Sequence, residues 1–375
     1  MAMNHQERIK AVQTALLAWF RRHRRDMPWR KTRDPYAIWV SEIMLQQTQV
    51  ATVKPYYVRF LEAFPDVRAL ASSPLDAVLK AWEGLGYYAR ARNLHRAAGQ
   101  VTERYGGQLP RTVPELRALP GIGAYTAGAI ASIAFDLDEP VLDGNVRRVL
   151  CRVFRVRGIP TEPKTERKLW SLARALIPSG KASLFNQALM DLGATICIPR
   201  DPRCLVCPIK AACQACARNE QAVLPARPVR KPTPHHEIAV GIVWRNGRIL
   251  IDQRKPEGLL GGLWEFPGGK RRPDESLEAC VVREVREELG VKVKVRRPLV
   301  TVKHAYTHFR ITMHAFECGY VSGRPKPIGC AAWKWIKPNE LDQCAFPKAN
   351  LKVIAALHEA ESSGREGVAR GPTAR

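Results

Sequence analysis

The segment from Leu119 to Asp143 constrains the fold more than any other part of the sequence. It begins with Leu-Pro-Gly-Ile-Gly, and an Ala-rich apolar run with the length and composition of a helix follows. Gly121 and Gly123 allow a tight turn in which no Cβ obstructs the backbone. The start of a helix exposes unpaired N–H groups at the positive end of its dipole, where a phosphate can bind. The pattern predicts a phosphate-binding hairpin followed by a loop that holds Asp143. A helix start and an unrelated loop acid are the alternative.

The charge balance favours a polyanionic partner. The 375 residues include 60 Lys and Arg against 35 Asp and Glu, a formal net charge of +25. So large a basic excess indicates nucleic acid first and an anionic membrane surface second. No stretch reaches the roughly 18 apolar residues of a membrane span, and the N-terminus lacks the apolar core of a signal peptide. We therefore expect a cytoplasmic, nucleoid-associated protein that does not enter a membrane.

The two halves of the chain follow different patterns. Residues 1–222 carry apolar residues at helical spacing throughout, and 37–64 is expected to be one helix. Residues 223–235 are rich in proline and predict a stiff linker. Residues 236–360 form an α+β pattern, and the polar, Gly- and Arg-rich tail 361–375 is expected to be disordered. The strands expected in the second half are 237–244, 248–253, 291–296, 299–304 and 310–318.

The hairpin and its aspartate resemble the helix-hairpin-helix and Gly/Pro–Asp signature of DNA glycosylases. The resemblance implies that amides at Gly121 and Gly123 grip a DNA phosphate, and that Asp143 faces the sugar of an extruded nucleotide. Glu42 offers a second carboxylate inside an apolar helix, where burial raises a pKa and suits the group to general acid catalysis. Glycosidic cleavage uses one acid for the leaving group and one ionised carboxylate for the sugar cation. Glu42 and Asp143 are the expected pair, although an exposed glutamate is the alternative for Glu42.

Three segments carry a closer resemblance to one glycosylase family. They are Trp39–Val50, Gly84–Leu94 and Val141–Val149. All three resemble the MutY family, whose members remove adenine paired with 8-oxoguanine. The resemblance extends over about residues 7–355 and implies an all-α glycosylase domain followed by a domain of the Nudix type. It also implies duplex DNA with A:8-oxoguanine or A:G mispairs as the partner of a monomeric enzyme.

The same resemblance assigns roles to individual residues. Glu42 would protonate the adenine ring, while Asp143 would stabilise the sugar cation. Gln47 and Tyr87 would insert into the base stack on the 8-oxoguanine side, and such insertion offsets the few kcal/mol that base extrusion costs. Arg30 and Gln187 would line the adenine pocket. Ordinary helix surface and core packing are the alternatives for the two wedge residues.

Tyr125 separates this chain from related enzymes that also cut the strand. In endonuclease III a lysine at this hairpin position forms a Schiff base with the sugar. A tyrosine cannot form an imine, because only an amine does so. We expect base release without strand cleavage, with the Tyr125 hydroxyl hydrogen-bonded near Asp143 and with Asn145 beside it.

A cluster of cysteines predicts a metal site. Four thiolates within seventeen residues can close one tetrahedral or cubane site, and zinc and iron–sulfur are both open on chemical grounds. The spacing resembles the four-iron, four-sulfur loop of the MutY and endonuclease III group, which selects Cys213 over the nearby Cys216. The cluster ligands implied in this way are Cys197, Cys204, Cys207 and Cys213.

A complete Nudix box runs from Gly269 to Val291. Glu284, Glu287 and Glu288 fall on one helix face, where like charges are unfavourable unless a hard cation or an arginine joins them. Mg²⁺ is the chemical interpretation, and a solvated acidic face is the alternative. The domain resembles the nucleotide hydrolase MutT, but in the MutY family it is held to read 8-oxoguanine. MutT uses one further glutamate that this chain lacks, so a reading domain with a vestigial magnesium site is expected.

Three residues of the second half resemble the base-reading segments of these families. Asn350 lies in Phe-Pro-Lys-Ala-Asn, which is similar to the base-reading segment of MutT. Thr307 and His308 stand where MutY members carry an aromatic-Ser-His loop that touches the oxidised base. Thr for Ser keeps the hydroxyl, and Tyr306 for Phe keeps the ring. The resemblance therefore implies 8-oxoguanine contacts from all three.

The combined prediction is a two-domain, monofunctional adenine glycosylase with an iron–sulfur cluster. Three alternatives stay open from the sequence. One is an endonuclease III-like glycosylase and lyase. Another is a Nudix pyrophosphatase fused to a DNA-binding iron–sulfur module. The third is a nucleic-acid binder without catalysis, which would require Glu42 and Asp143 to lie far apart. The sequence identifies no protein partner.

Overall fold

A computed structural model describes residues 3–228, 232–306 and 308–368, the last eight of these by their backbone alone. Within these ranges no helix has the length and apolar character needed to cross a bilayer. The chain divides into two compact units. The first comprises Met1–Ser72 and Asn93–Arg230, and the second comprises Ser73–Arg92 and Lys231–Arg375.

The part of the chain before the linker is helical, as expected. Its α-helices are α1 (His5–His23), α2 (Pro35–Leu45), α3 (Val50–Ala63), α4 (Val67–Ser72), α5 (Leu75–Ala81), α6 (Ala89–Tyr105), α7 (Val113–Ala118), α8 (Ala124–Phe135), α9 (Gly144–Val153), α10 (Pro163–Ala175), α11 (Ala182–Thr195) and α12 (Gln214–Ala217). The single helix expected over 37–64 is wrong, because the chain turns between α2 and α3. Gln47 has a φ of +57° in that turn, a left-handed conformation that a helix cannot continue through.

The core of the first unit forms where α1, α8, α9 and α11 pack together. Ile9, Val12 and Leu16 of α1 lie on one helical face, and all three are buried. Two glycines let neighbouring backbones approach these helices closely. A Cβ on Gly128 of α8 would clash with the carbonyl oxygen of Pro140, and a Cβ on Gly193 of α11 would lie 2.7 Å from the Cβ of Asn145. These contacts fix the loop between α8 and α9, which carries Asp143.

The hairpin between α7 and α8 needs glycine at one position and not at the other. Gly121 has a φ of +78°, and a Cβ there would lie 2.8 Å from the Cβ of Asn93. Gly123 is the N-cap of α8 with a φ of −85°, and a Cβ there would meet no atom within 4 Å. The expectation that both glycines clear space for the turn is therefore correct for Gly121 and wrong for Gly123.

In the described part of the second unit, seven strands form one mixed sheet between two helices. The strands are β1 (His235–Arg245), β2 (Arg248–Gln253), β3 (Trp264–Glu265), β4 (Gly268–Lys270), β5 (Lys292–Ala305), β6 (Arg310–Ser322) and β7 (Ala332–Ile336). Their order is β3-β2-β1-β6-β5, with β4 beside β1 and β7 beside β2. Strands β1 and β6 are parallel, and the other pairs are antiparallel.

Alternate residues of the strands serve two cores, as the period of two requires. Val240 and Ile242 of β1 pack in the core that includes α14 (Lys348–Val368). Ala239 and Val243 of the same strand pack in the core that includes α13 (Leu277–Leu289). The sheet is therefore covered by one helix on each face.

Two expectations about the second half need correction. The strands expected at 291–296 and 299–304 form the single strand β5, whose pairing with β6 has register shifts where Pro298 interrupts the ladder. Helix α14 continues to Val368, so the tail expected to be disordered from 361 begins within a helix. The apolar residues of α14 up to Leu357 pack on the sheet. Residues 369–375 lie outside the described residues.

The expected domain boundary also differs from the compact units. Residues 73–92 fall inside the range 1–222 but cluster with the second unit. Polar contacts account for this assignment: the Glu83 carboxylate accepts from the Phe346 amide at 2.8 Å, and Lys80 donates to the carbonyl of Cys344 at 3.2 Å. At the start of the linker, Leu224 is buried in the first unit, where Arg152 donates to its carbonyl oxygen.

We predict that serine has opposite consequences at the two hairpin glycines. Gly121→Ser should lower the free energy of unfolding by roughly 1–3 kcal/mol, because a side chain there is strained at positive φ and crowds Asn93. Gly123→Ser is the matched control and should stay within about 0.5 kcal/mol of wild type, because serine is a favoured N-cap. Urea unfolding followed by helix content measures both. Equal losses at the two positions would contradict the assignment.

Candidate active site

Both predicted catalytic carboxylates line one cavity of the first unit. The cavity has a volume of about 150 Å³, and its walls come from α2, α8, α11, the start of α9 and the segment around Trp29. Glu42 enters from α2, and Asp143 enters from the loop before α9. The two groups are close enough for the charge of Asp143 to raise the pKa of Glu42. The arrangement therefore removes the ground for the alternative of a binder with separated acids.

Glu42 is the buried acid that the sequence predicts. Only 4% of the residue is exposed, and every residue of α2 from Tyr36 to Met44 is buried around it. Burial is the largest cause of its altered proton affinity and raises its pKa to about 7. A hydrogen bond from Tyr125 and the charge of Arg30 lower the pKa, whereas Asp143 raises it. Such a group is partly protonated at neutral pH, as a general acid must be.

The Tyr125 hydroxyl donates to Glu42 rather than to Asp143. The oxygen lies 2.6 Å from Oε2 of Glu42, and Sδ of Met190 lies 3.4 Å from it. The hydrogen bond expected near Asp143 is formed with Glu42, which lines the same cavity as Asp143, because α8 directs the ring toward α2. Burial raises the pKa of Tyr125 well above its ordinary value, so the phenol remains a donor.

Asp143 is held by the helix that it caps. As the N-cap of α9, its Oδ1 accepts from the Val146 amide at 2.6 Å, and Nδ2 of Asn145 donates to Oδ2 at 3.1 Å. Burial raises the pKa of Asp143, while these two hydrogen bonds and the charge of Arg148 lower it. The expected position of Asn145 beside the aspartate is confirmed by this contact.

Hydrogen bonds continue from Asn145 to the cysteine loop. Arg148 donates to Oδ1 of Asn145 at 2.9 Å and to the carbonyl of Cys197 at 2.8 Å. Arg152, buried in the core, donates to the carbonyl of Ile198 at 2.8 Å and to Sγ of Cys197 at 3.3 Å. The loop that carries the cysteines is thus tied to the helix that begins at Asp143.

The predicted pocket residues Arg30 and Gln187 both line the catalytic cavity. The amide nitrogen of Gln187 donates to the carbonyl of Ser183 at 3.2 Å, which orients its side chain along α11. Arg30 forms an ion pair with Asp191 at 2.8 Å, and Arg25 pairs with the same carboxylate at 2.5 Å. Sequence reasoning missed Asp191 and Arg25. The sequence of α11 does not reveal which side chains its aspartate contacts, because those contacts form only when the helix packs against the rest of the unit.

The two predicted wedge residues each occupy a left-handed turn. Gln47 is exposed with a φ of +57°. Tyr87 is 37% exposed with a φ of +49°, and Cζ of Arg90 lies 5.5 Å from the centroid of its ring. Non-glycine residues adopt this conformation at an energetic cost, which often marks a functional position.

The hairpin contributes to a surface cleft of about 910 Å³. Gly121 and Gly123 line it together with Gln47, Arg147 and Arg148. The N-terminal amides of α8 give the hairpin end of the cleft a positive character. Along the rest of the cleft, Asp143 and Glu166 balance the two arginines. The hairpin end has the geometry that the predicted phosphate grip requires.

The four predicted cluster ligands, Cys197, Cys204, Cys207 and Cys213, line one small cavity of the first unit. Cys216 lines the same cavity. Among the residues that the structure describes, no three His, Cys, Asp or Glu side chains converge closely enough to hold one metal ion. Four thiols around one cavity suit a polynuclear cluster, whose several metal atoms hold the ligands farther apart than a single zinc ion does. The donor set therefore fits an iron–sulfur cluster.

An arginine joins the acidic residues of the Nudix helix. Arg283 pairs with Glu284 at 2.7 Å, with Glu287 at 3.1 Å and with Glu275 at 2.7 Å. Glu288 instead accepts from the Gly268 amide at 3.1 Å, and its pKa is raised to about 8, mainly by burial. The described residues contain no metal-binding group here either. Arg283 therefore relieves part of the repulsion on the acidic face.

The predicted base-reading residues differ in burial. Asn350 is buried, and its Oδ1 lies 3.4 Å from the amide of Phe266, which donates to it. His308 is exposed in the connection between β5 and β6, where the rings of Tyr306 and Phe309 stack at 4.7 Å. Thr307 lies outside the described residues.

Sequence reasoning also missed a buried acidic group beside the Nudix helix. Asp252 of β2 and Glu265 of β3 are register partners in the sheet, and Arg254 pairs with Glu265 at 2.7 Å. Burial raises the pKa of both carboxyls. Alternation along β2 places Asp252 inward, but only the pairing with β3 brings the two acids together.

Comparison with known proteins identifies both halves. A model of the HhH-GPD superfamily of base excision DNA repair proteins matches residues 40–175, and a NUDIX domain model matches 239–356. The chain is 35% identical to the adenine DNA glycosylase of Mus musculus over 96% of this chain and 81% of that protein. It is 35% identical to the Homo sapiens enzyme over 92% of this chain and 74% of that protein. An adenine DNA glycosylase of Buchnera aphidicola is 33% identical over 78% and 82% of the two chains.

Solved structures agree on the fold of the helical part. A thermostable thymine-DNA glycosylase is 34% identical with a TM-score of 0.53, over 56% of this chain and 98% of that chain. A trapped endonuclease III–DNA intermediate is 22% identical with a TM-score of 0.51, over 58% and 99% of the two chains, and shows the fold alone. The relatives above extend across both halves of the sequence. The chain belongs to the adenine DNA glycosylase family of base excision repair enzymes.

Proposed function

We propose that this enzyme removes adenine paired with 8-oxoguanine or guanine in duplex DNA, with Glu42 as the general acid and Asp143 as the stabiliser of the sugar cation. The observation that carries the proposal is the single cavity that Glu42 and Asp143 share. Its small volume of about 150 Å³ suits one flipped base, and its lining includes the cationic Arg30 and the amide of Gln187.

The protonated Glu42 donates its proton to a ring nitrogen of adenine. Electrons of the C1′–N bond then move to the base, and neutral adenine leaves. Positive charge develops on the sugar, and the carboxylate of Asp143 stabilises it until water adds to C1′. The added water gives up a proton to the Glu42 carboxylate, which restores the acid. Burial raises the pKa of Asp143, but a developing cation favours the ionised form of a neighbouring acid. The two acids therefore differ in protonation when the bond breaks.

The substrate must leave the base stack before it reaches this cavity. Gln47 and Tyr87 are each exposed in a left-handed turn, and each side chain is therefore suited to insert into a base stack. The hairpin at Gly121 and Gly123 would bind a phosphate of the same strand through its backbone amides. The formal net charge of +25 supports such binding along the DNA backbone.

The chemistry at residue 125 favours base release alone. The Tyr125 phenol is a hydrogen-bond donor to Glu42 and offers no amine for a Schiff base. This contact argues against the glycosylase and lyase alternative.

We assign the reading of 8-oxoguanine to the second unit. The exposed His308 supplies a ring nitrogen that can hydrogen-bond to the edge of a modified purine. Asn350 is buried and its Oδ1 accepts from the Phe266 amide, so a base contact from its carboxamide would require it to become accessible. The pyrophosphatase alternative is less favoured, because the chain lacks the further glutamate that the hydrolase MutT uses.

The cysteine cavity would hold a four-iron, four-sulfur cluster through Cys197, Cys204, Cys207 and Cys213. When bound, such a cluster holds its loop in one conformation and provides a redox centre. Arg152 would orient the Cys197 thiolate through its contact at 3.3 Å, and Lys210 places a positive charge at the same cavity.

We predict that Glu42→Gln abolishes adenine release and leaves DNA binding largely intact. Glutamine keeps the shape but cannot donate an acidic proton, so the single-turnover rate should fall by at least about 10²-fold. The wild-type rate should decline above about pH 7, where Glu42 loses its proton. Adenine release from a duplex with adenine opposite 8-oxoguanine measures the rate. The exposed Glu103→Gln is the control, and wild-type turnover by Glu42→Gln would refute the assignment.

We predict that Tyr125→Phe moves the alkaline decline of the rate to higher pH. The lost hydrogen bond stabilises the ionised form of Glu42, so its removal raises the pKa and keeps the acid protonated longer. The alkaline midpoint, which is the pH at which the declining rate has fallen to half of its maximum, should rise by about half a pH unit to one pH unit. Single-turnover rates across pH measure it, and a shift to lower pH would show that Glu42 is not the titrating acid.

We predict that His308→Ala weakens the preference for 8-oxoguanine. One hydrogen bond is worth about 1 kcal/mol, so the ratio of rates opposite 8-oxoguanine and guanine should fall roughly five- to tenfold. Release opposite guanine serves as the internal reference and should change little. An unchanged ratio would remove His308 from the reading site.

A further inference from the structure

Asp191 of α11 is a fully buried acid to which the mechanism above gives no role. Its side chain has 0% exposure, and its carboxylate receives hydrogen bonds from two arginines. Arg25 donates through Nε at 2.8 Å and through a terminal nitrogen at 2.5 Å. Arg30 donates through its two terminal nitrogens at 2.8 and 3.0 Å. A buried carboxylate is costly unless it is paired, and this one is paired twice.

The two arginines belong to the wall of the catalytic cavity. Both line it together with Glu42, while Asp191 lies behind them. The side chain of Arg30 has 14% exposure, and Cζ lies 5.4 Å from the centroid of the Phe20 ring. Packing on Phe20 and the two bonds to Asp191 leave the guanidinium one orientation. The ion pair therefore determines which face Arg30 presents to a base in the cavity.

We propose that Asp191 is a positioning residue of the adenine pocket, whose carboxylate holds Arg25 and Arg30 in place and balances their charge beside Glu42. This inference rests on the proposed function, because it assumes that the cavity binds adenine and that Glu42 is its acid. Asp191 lies behind the arginines and would act through them.

The charged groups around Glu42 determine the sign of the effect. Tyr125 reaches it from α8, Asp143 from the start of α9, and Arg30 from the turn before α2. Arg25 lines the same wall of the cavity as Arg30, and Asp191 lies behind the two arginines. The charge of Arg30 already lowers the pKa of Glu42. Removing the negative charge of Asp191 leaves two guanidinium groups unbalanced, so the pKa of Glu42 should fall further. The enzyme should then lose its protonated acid at a lower pH.

The test compares wild type, Asp191→Asn and Glu220→Gln in single-turnover adenine release across pH. Glu220 is a matched control, because its carboxylate also pairs with two arginines, Arg155 and Arg157, but it does not line the catalytic cavity. Asp191→Asn should reduce the rate roughly tenfold and move the alkaline midpoint to lower pH by about one unit. Glu220→Gln should keep the wild-type midpoint.

The outcomes separate this inference from the proposed function. If wild type releases no adenine, the proposed function fails. If wild type is active and Asp191→Asn keeps its rate and midpoint, the positioning role fails alone. A lower rate with an unchanged midpoint would show a structural contribution only and would also overturn the inference.

A second variant keeps the inference testable if Asp191→Asn does not fold. Arg25→Gln removes one of the two cations and leaves the pair between Asp191 and Arg30. The midpoint should then move to higher pH, the opposite direction. In the double variant Asp191→Asn, Arg25→Gln, it should return toward the wild-type value. A midpoint below the wild-type value in Arg25→Gln would contradict the proposed charge balance. So would a midpoint that lies farther from the wild-type value in the double variant than in Asp191→Asn.

Discussion

The catalytic half of the molecule depends on the burial of one carboxyl group. Helix α2 is buried on every side from Tyr36 to Met44, so Glu42 has no solvent to stabilise its charge. The nearest compensation is the Tyr125 hydroxyl at 2.6 Å, which favours the ionised form. Desolvation exceeds this compensation, and the pKa settles at about 7. A helix with one polar face would have left the same glutamate near its ordinary pKa and without use as an acid.

Small residues determine where the second carboxylate lies relative to the first. The absence of a side chain at Gly128 lets the loop at Pro140 rest directly on α8, and the absence at Gly193 lets α11 approach Asn145. These contacts bring the N-cap of α9 to the wall of the cavity that α2 forms. Because Asp143 also caps its helix, the group that serves the chemistry contributes to the fold. The close approaches of neighbouring segments at Gly128 and Gly193 therefore determine both how the helices pack and where the two carboxylates lie.

Much of the fold follows from local sequence patterns, whereas the hydrogen bonds and ion pairs of the site do not. The hairpin, the buried Glu42 and the thiols around one cavity could be predicted because each is encoded in a short segment. The break at Gln47 could not, since the flanking sequence favours a helix and only packing forces the turn. The partner of Tyr125 and the arginines of Asp191 depend on which helix faces meet. Those contacts join residues that are distant in the sequence, as with Arg30 and Asp191.

The Nudix helix relieves the repulsion of its own acidic face through an arginine of the same motif. Three of its acids crowd one face, and their repulsion requires a cation. Arg283 supplies that cation from within the helix and fixes Glu275, Glu284 and Glu287 at once. Arg283 binds one oxygen of Glu284 and one of Glu287, and Glu288 instead accepts from the Gly268 amide, so the arginine relieves the repulsion without occupying every carboxylate oxygen of this face. The missing glutamate of the hydrolases, rather than the arginine, supports the proposal that this domain recognises a base.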